Sequence, residues 1–182
     1  MSKTALIIID CQNDFFPGGK YELEGQMESA ANIRRLLKDA RDKDESIIHV
    51  QHIFKDKNAP FLVEGTIGAE LHEIAKPLQN EPVVVKYFAN SYLNTNLQQI
   101  LKDARVEELV ICGGMSHMCI DAAARATVDL GYPITVIYDA CSTCDLEFEG
   151  EIVPAKYVQG AIMASLSFAY GKVVSTEEYL TV

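Results

Sequence analysis

Short apolar, β-branched runs alternate along the chain with stretches whose apolar residues recur at helical spacing. The runs cover residues 5–9, 47–53, 83–85, 109–112 and 134–138, with a weaker one at 173–174. None alternates cleanly between apolar and polar positions, so each reads as a strand buried on both faces. Between them, Ala30, Ile33, Leu37 and Ala40 share one helical face opposite Arg34, Arg35, Lys38, Asp39 and Asp42. Leu97, Ile100, Leu101 and Ala104 repeat the pattern behind Asn94 or Thr95, either of which suits an N-cap. Ile120, Ala123, Thr127 and Leu130 form a third stripe closed by Gly131, and residues 152–168 predict a fourth helix. Strands alternating with helices predict an α/β fold built on a parallel sheet with helices on both sides. Right-handed crossovers then bring every strand's C-terminal end to one edge, where such folds open their ligand crevice.

Asp10 follows the first strand at that edge, Lys86 follows the third, and the segment Gly113 to Cys119 follows the fourth. Cys119 stands where the third helix is expected to begin. A thiol in a helix's first turn feels the positive dipole end, and a neighbouring Lys86 would favour the thiolate further. Asp10 is placed to take the thiol proton and later to hand it to a leaving group. Free N–H groups at Met115 and Cys119 would hold a developing oxyanion. Each residue also has an ordinary reading: a packed cysteine, a turn aspartate and a surface lysine. Spacing alone does not decide between the two.

The charge balance narrows the partners. Sixteen Lys and Arg stand against 26 Asp and Glu, a formal charge of −10. That disfavours nucleic acid and anionic membranes, both of which call for clustered positive charge. The 182 residues match one domain spanning 1–182 in size, with no linker or repeat dividing them. The opening apolar run is too short for a signal peptide, and no stretch is long enough to span a membrane. Five cysteines without secretory context read as reduced thiols of a cytoplasmic protein. An exposed apolar helix face would make a homo-oligomer, a dimer or a tetramer.

Three collinear motifs carry a resemblance. Asp10-Cys11-Gln12-Asn13-Asp14-Phe15 with Gly18-Gly19 resembles the D-x-Q-N-D-F…GG opening of the isochorismatase-like cysteine hydrolases, which include nicotinamidases and N-carbamoyl amidases. Lys86 to Tyr92 resembles the family's K-x…S-x-F segment, with Tyr92 for the usual Phe. Val110 to Ile120 resembles its nucleophile segment, and Asp139-Ala140 its D-A pair. The resemblance implies a three-layer αβα, Rossmann-like fold with a six-stranded parallel sheet. It also implies a catalytic triad of Cys119 as nucleophile, Asp10 as general base and Lys86 holding the charges. A non-proline cis peptide between Gly114 and Met115, presenting the Met115 N–H to the oxyanion, belongs to the same implication. The chemistry implied is hydrolysis of a small amide, carbamoyl or related acyl substrate through a thioester, with no cofactor. The alternatives are vinyl-ether cleavage of the isochorismatase type and an idle, metabolite-binding member of the family.

The chain departs from nicotinamidases at their metal site. Anchored on Gly65-Thr66-Ile67-Gly68-Ala69, the ligand positions fall on His52, Phe54 and Phe61, and phenyl rings coordinate nothing. No metal and no nicotinamidase activity are therefore expected. His52 and His117 are candidates to line the pocket, whereas His72 reads as a surface helix residue and His49 as part of a strand. Phe15, Phe54, Phe61, Tyr87, Phe88 and Tyr92 are candidates for an aromatic pocket wall or for ordinary core. Cys141 and Cys144 lack the context of a redox or zinc pair, and Asp145, Glu147, Glu149 and Glu151 read as a solvated loop. Specificity is expected to reside in the loops at 54–68 and 141–152.

Overall fold

The computed structural model describes residues 3–181. Six parallel strands form the central sheet: β1 (Thr4–Ile9), β2 (Ser46–His52), β3 (Val83–Lys86), β4 (Glu108–Gly114), β5 (Ile134–Ser142) and β8 (Lys172–Val174). Their order is β3-β2-β1-β4-β5-β8. The chain thus winds outward from β1 in one direction, then returns beside it as β4 and winds out in the other. The reversal between β1 and β4 is where a doubly wound sheet leaves a crevice.

Two apolar layers flank the sheet, as strands buried on both faces require. Alternate residues of β1 divide between them. Leu6 and Ile8 meet Ile33, Leu36 and Leu37 of α1 (Gln26–Asp42), while Ile7 and Ile9 meet residues of the opposite layer. That second layer includes Leu97 and Leu101 of α2 (Leu97–Asp103), Ala123 and Ala124 of α3 (Asp121–Asp129), and Met163 and Leu166 of α4 (Ala155–Ala169). The arrangement is the three-layer αβα architecture with a six-stranded parallel sheet. No helix among the described residues is long and apolar enough to cross a membrane.

Four local features differ from the sequence reading. α4 begins at Ala155 rather than 152, because 151–153 pairs in an exposed antiparallel hairpin of β6 (Leu146–Phe148) and β7 (Glu151–Val153). The acidic stretch is therefore a hairpin, and Asp145 accepts a 2.7 Å hydrogen bond from the Ala155 N–H that opens α4. At α2 the boundary residue is Asn96, with no side-chain cap of its own. The Thr95 hydroxyl accepts from the Leu97 N–H at 3.3 Å, and Asn94 turns through φ 56°. His72 heads a 3-10 turn (Glu73–Ala75) instead of lying on a helix, with its ring stacked on Phe16 at 3.5 Å between centroids. A fifth helix, α5 (Thr176–Leu180), opens on a reciprocal capping box between Ser175 and Glu178, a Ser-x-x-Glu signal present in the sequence. Asp139 secures α5 by accepting from both the N–H and the hydroxyl of Thr176, each at 2.7 Å.

Candidate active site

The polar candidates lie at or just beyond the C-terminal ends of the strands. β1 ends at Ile9, and Asp10 turns out of it through φ 52°, a left-handed conformation that non-glycine residues adopt sparingly and often at functional sites. Beside it, Gly113 is paired with Ile9 at φ 122°, where an added Cβ would lie 1.9 Å from the Ile9 carbonyl oxygen. Only glycine lets β4 approach β1 this closely. β2 and β3 end together, because their register pairs His52 with Lys86. After β4 the Gly114–Met115 peptide is cis, and a π-helical turn (Ser116–Ile120) carries Cys119 into α3.

These ends converge on the Lys86 ammonium, which is fully buried. Its Nζ lies 2.8 Å from Asp10 Oδ2, 2.9 Å from Cys119 Sγ and 3.0 Å from His52 Nδ1. Ligand-type atoms of Asp10, His52 and Cys119 all fall within 4.8 Å of one another, close enough to hold a cation. The tethered ammonium already fills that role. The three nicotinamidase-type metal positions do gather, with the His52 and Phe54 rings 4.5 Å apart and Phe54 edge-on to Phe61 at 5.5 Å. Two of them being phenyl, the residues present do not fit a metal.

Burial sets the protonation states. Burial would lower the Lys86 pKa, but Asp10 and Cys119 beside it outweigh that and hold it above the ordinary lysine value. Burial pushes the Cys119 thiol well above the usual cysteine range, Asp10 adds to the rise, and Lys86 opposes both without reversing them. Helix-dipole and lysine effects were expected to give a resting thiolate; dehydration of the sulfur overrides them. Burial, then the Lys86 ammonium, push His52 down to about 4, so its ring is neutral at ordinary pH. The resting cluster is a thiol, a neutral imidazole and one ion pair, with no net charge. Beyond the Lys86 ion pair, neither Asp10 oxygen has a hydrogen-bond partner among the described residues, which leaves the carboxylate free to accept a proton.

A cavity of about 190 Å³ opens onto this cluster. Asp10, His52 and Cys119 form its polar floor. Phe15, Phe54, Phe61, Tyr87 and Phe88 of the predicted set line it, and so does Met115. Leu62, Ala89 and Met118 line it too, unforeseen in the sequence because nothing local distinguishes them from loop packing. Tyr92 and His117 are not among the lining residues. The Tyr92 hydroxyl bonds to Thr127 Oγ1 at 2.8 Å within the α2–α3 layer, and His117 Nδ1 bonds to Thr143 Oγ1 at 2.6 Å. Cys141 is buried at the end of β5, and Cys144 is a free thiol 3.6 Å from the Tyr21 hydroxyl.

Two further side chains hold the site in shape. Gln12 clamps the backbone of His52, donating to its carbonyl at 2.8 Å and accepting from its N–H at 2.8 Å, and ties Ala69 to the same point at 2.7 Å. Asp14 accepts from the Leu62 N–H at 2.6 Å and the Lys20 N–H at 3.2 Å, fastening the aromatic wall loop to the β1 end. Both belong to the Asp10–Phe15 motif, whose sequence gives no hint of their partners.

Comparison with known proteins shows the family and the fold. Residues 4–162 match the family model for the isochorismatase domain. An uncharacterized isochorismatase family protein of Bacillus subtilis (strain 168), YddQ, is 46% identical over 177 residues, covering 97% of this chain and 98% of the relative. The nicotinamidase of Escherichia coli (strain K12) is 22% identical over 188 residues, 81% of this chain and 86% of its own. Among solved structures, one from Oleispira antarctica assigned as an isochorismatase hydrolase superposes with a TM-score of 0.95 at 43% identity, covering 100% of this chain and 97% of that one. The three-layer fold with its six-stranded parallel sheet is thus shared with solved structures of this type. The chain belongs to the isochorismatase family.

Proposed function

We propose that the protein hydrolyses a small amide-type substrate through a thioester on Cys119. The observation that carries the reading is the convergence of Lys86 on Asp10 and Cys119 at 2.8 and 2.9 Å beside a small cavity. Because the resting thiol is protonated, Asp10 removes its proton as the sulfur attacks the carbonyl carbon. The S–C bond forms, and the carbonyl π electrons move onto oxygen, where the Met115 and Cys119 N–H groups receive the charge. Collapse of that intermediate breaks the C–N bond, and Asp10 returns the proton to the departing nitrogen, which leaves as ammonia or an amine. A water, deprotonated by Asp10, then attacks the thioester; the C–S bond breaks, and the sulfur recovers a proton. Lys86 keeps its charge throughout and stabilises whichever of the carboxylate and thiolate is present.

The test mixes the protein with a panel of small primary amides and N-carbamoyl compounds, following ammonia release and intact mass. Turnover with an acyl adduct on Cys119, both lost in Cys119→Ala, is the expected outcome. Turnover of vinyl ethers that survives Cys119→Ala, or binding with no turnover of any panel member, overturns the reading.

A further inference from the structure

The cavity holds a polar group that this mechanism does not use. Lys86 is an ammonium, a donor only, so its 3.0 Å contact with His52 Nδ1 makes that nitrogen the acceptor and places the ring proton on Nε2. His52 is 7% exposed and lines the cavity, yet its Nε2 has no hydrogen-bond partner among the described residues. A buried donor left unpaired costs free energy that an incoming acceptor would recover. The ring is not free to turn away: its backbone is clamped on both sides by Gln12, and its face lies 4.5 Å from that of Phe54. His52 Nδ1 is 3.8 Å from Cys119 Sγ, so the ring lies beside the sulfur on the cavity lining.

The cavity's charge is equally specific. Among its lining residues there is no arginine or lysine, and one carboxylate, Asp10, faces it. The cation behind the floor, Lys86, directs its three protons at Asp10, Cys119 and His52. Lys55, near the wall, rests its ammonium on the Tyr87 ring at 4.2 Å. A substrate carboxylate would enter without a counter-ion, next to Asp10, in surroundings that are otherwise apolar.

We infer that His52 is a specificity residue whose Nε2–H selects uncharged, small, flat amides bearing a hydrogen-bond acceptor beside the scissile carbonyl, and that carboxylate-bearing amides are rejected. The inference deepens the amide-hydrolase reading and rests on it for the word substrate, but the ligand preference it describes is measurable without turnover. Neutral imidazole suits this role, since its proton is fixed on one nitrogen across the physiological range.

The experiment measures binding by calorimetry to the Cys119→Ala protein, which cannot turn over. The probes are picolinamide, with a ring nitrogen beside the carboxamide; benzamide, the same shape without the acceptor; and N-carbamoylglycine, which carries a carboxylate. Picolinamide is expected to bind about tenfold tighter than benzamide, the worth of one satisfied buried hydrogen bond, and N-carbamoylglycine weakest. Adding His52→Phe should bring picolinamide and benzamide together. His52→Asn, which keeps both an acceptor for Lys86 and a donor for the ligand, should restore the preference; circular dichroism and melting of each variant exclude misfolding as the cause. Equal binding of the two amides, binding of neither, a preference that survives His52→Phe, or tightest binding of N-carbamoylglycine overturns the inference. A wild-type protein that shows the preference but releases no ammonia overturns the hydrolase reading and leaves this one standing.

Discussion

Strand β2 carries two buried histidines three positions apart, His49 and His52, and each sits beside an ion pair, part-buried at His49 and fully buried at His52. At His49 the pair is Arg41 and Glu81, and the carboxylate is saturated. Glu81 accepts two bonds from the Arg41 guanidinium at 2.8 and 2.9 Å, one from the Leu78 N–H at 2.9 Å and one from His49 Nε2 at 3.0 Å. At His52 the pair is Lys86 and Asp10, and the polar groups are left short. Asp10 keeps open acceptor capacity, and the imidazole keeps an unspent donor. Both imidazoles are lowered by burial, to about 4 at His52. The carboxylates tell the two clusters apart: Glu81 is saturated and Asp10 is not, although each imidazole keeps one ring nitrogen without a partner among the described residues. The saturated cluster fastens the β2–β3 connection to α1, and the unsaturated one faces a cavity.

The largest effects that separate the clusters should appear in turnover. Asp10→Asn and Cys119→Ala are each expected to cut ammonia release by about 10³-fold or more. Cys119→Ala should leave the melting temperature little changed, whereas Asp10→Asn, which strips the buried Lys86 ammonium of its counter-charge, should lower stability by about 3 kcal/mol or more. An active Asp10→Asn protein would mean that the thiol ionises without that base. Gly113→Ala, which drives a Cβ into the Ile9 carbonyl, should lower stability by about 3 kcal/mol or more in urea titration and weaken the site with it. Glu81→Gln should part from Asp10→Asn in turnover rather than in stability. Stability falls by about 3 kcal/mol because the Arg41 guanidinium loses its counter-charge, while kcat of the surviving folded protein stays within about threefold.

Acid reads the same cluster without mutation. Burial opposes ionisation of Glu81, but Arg41, the Leu78 N–H and His49 prevail and bring its pKa from 4.5 down to about 2. A folded pKa below the unfolded one means stabilisation that is complete above about pH 4.5 and is lost as pH falls toward 2. Its size is about 3 kcal/mol at neutral pH. Wild-type stability should therefore fall more steeply than that of Glu81→Gln in this window. The smallest effect concerns thiol labelling. At pH 7 Cys119 should react with iodoacetamide more slowly than the part-exposed Cys144, and its rate should keep climbing through pH 9. Rapid labelling of Cys119 at pH 7 would indicate a resting thiolate.

The sequence showed Asp10, Lys86 and Cys119 because each directly follows an apolar run, and the α/β alternation fixes where such positions go. The β2–β3 register that sets His52 against Lys86 is seen only in the folded sheet. What the sequence hid depends on long-range contact. Leu62 and Met118 reach the cavity through loop geometry, and Tyr92 and His117 leave it for Thr127 and Thr143, hydroxyls 35 and 26 residues away in sequence. The Cys119 thiol shifts upward, against the local signals, for a related reason. A helix start and a nearby lysine are visible locally, whereas exclusion of water from the sulfur is produced by the whole fold.

Lys86 has one more consequence. A positive centre welded to the backbone is delivered at synthesis, in fixed stoichiometry and at a fixed point. It cannot be stripped by a chelator, exchanged for a rival ion or starved from the medium. In the proposed mechanism that charge is therefore in place as soon as β1, β2, β3 and the turn bearing Cys119 have come together.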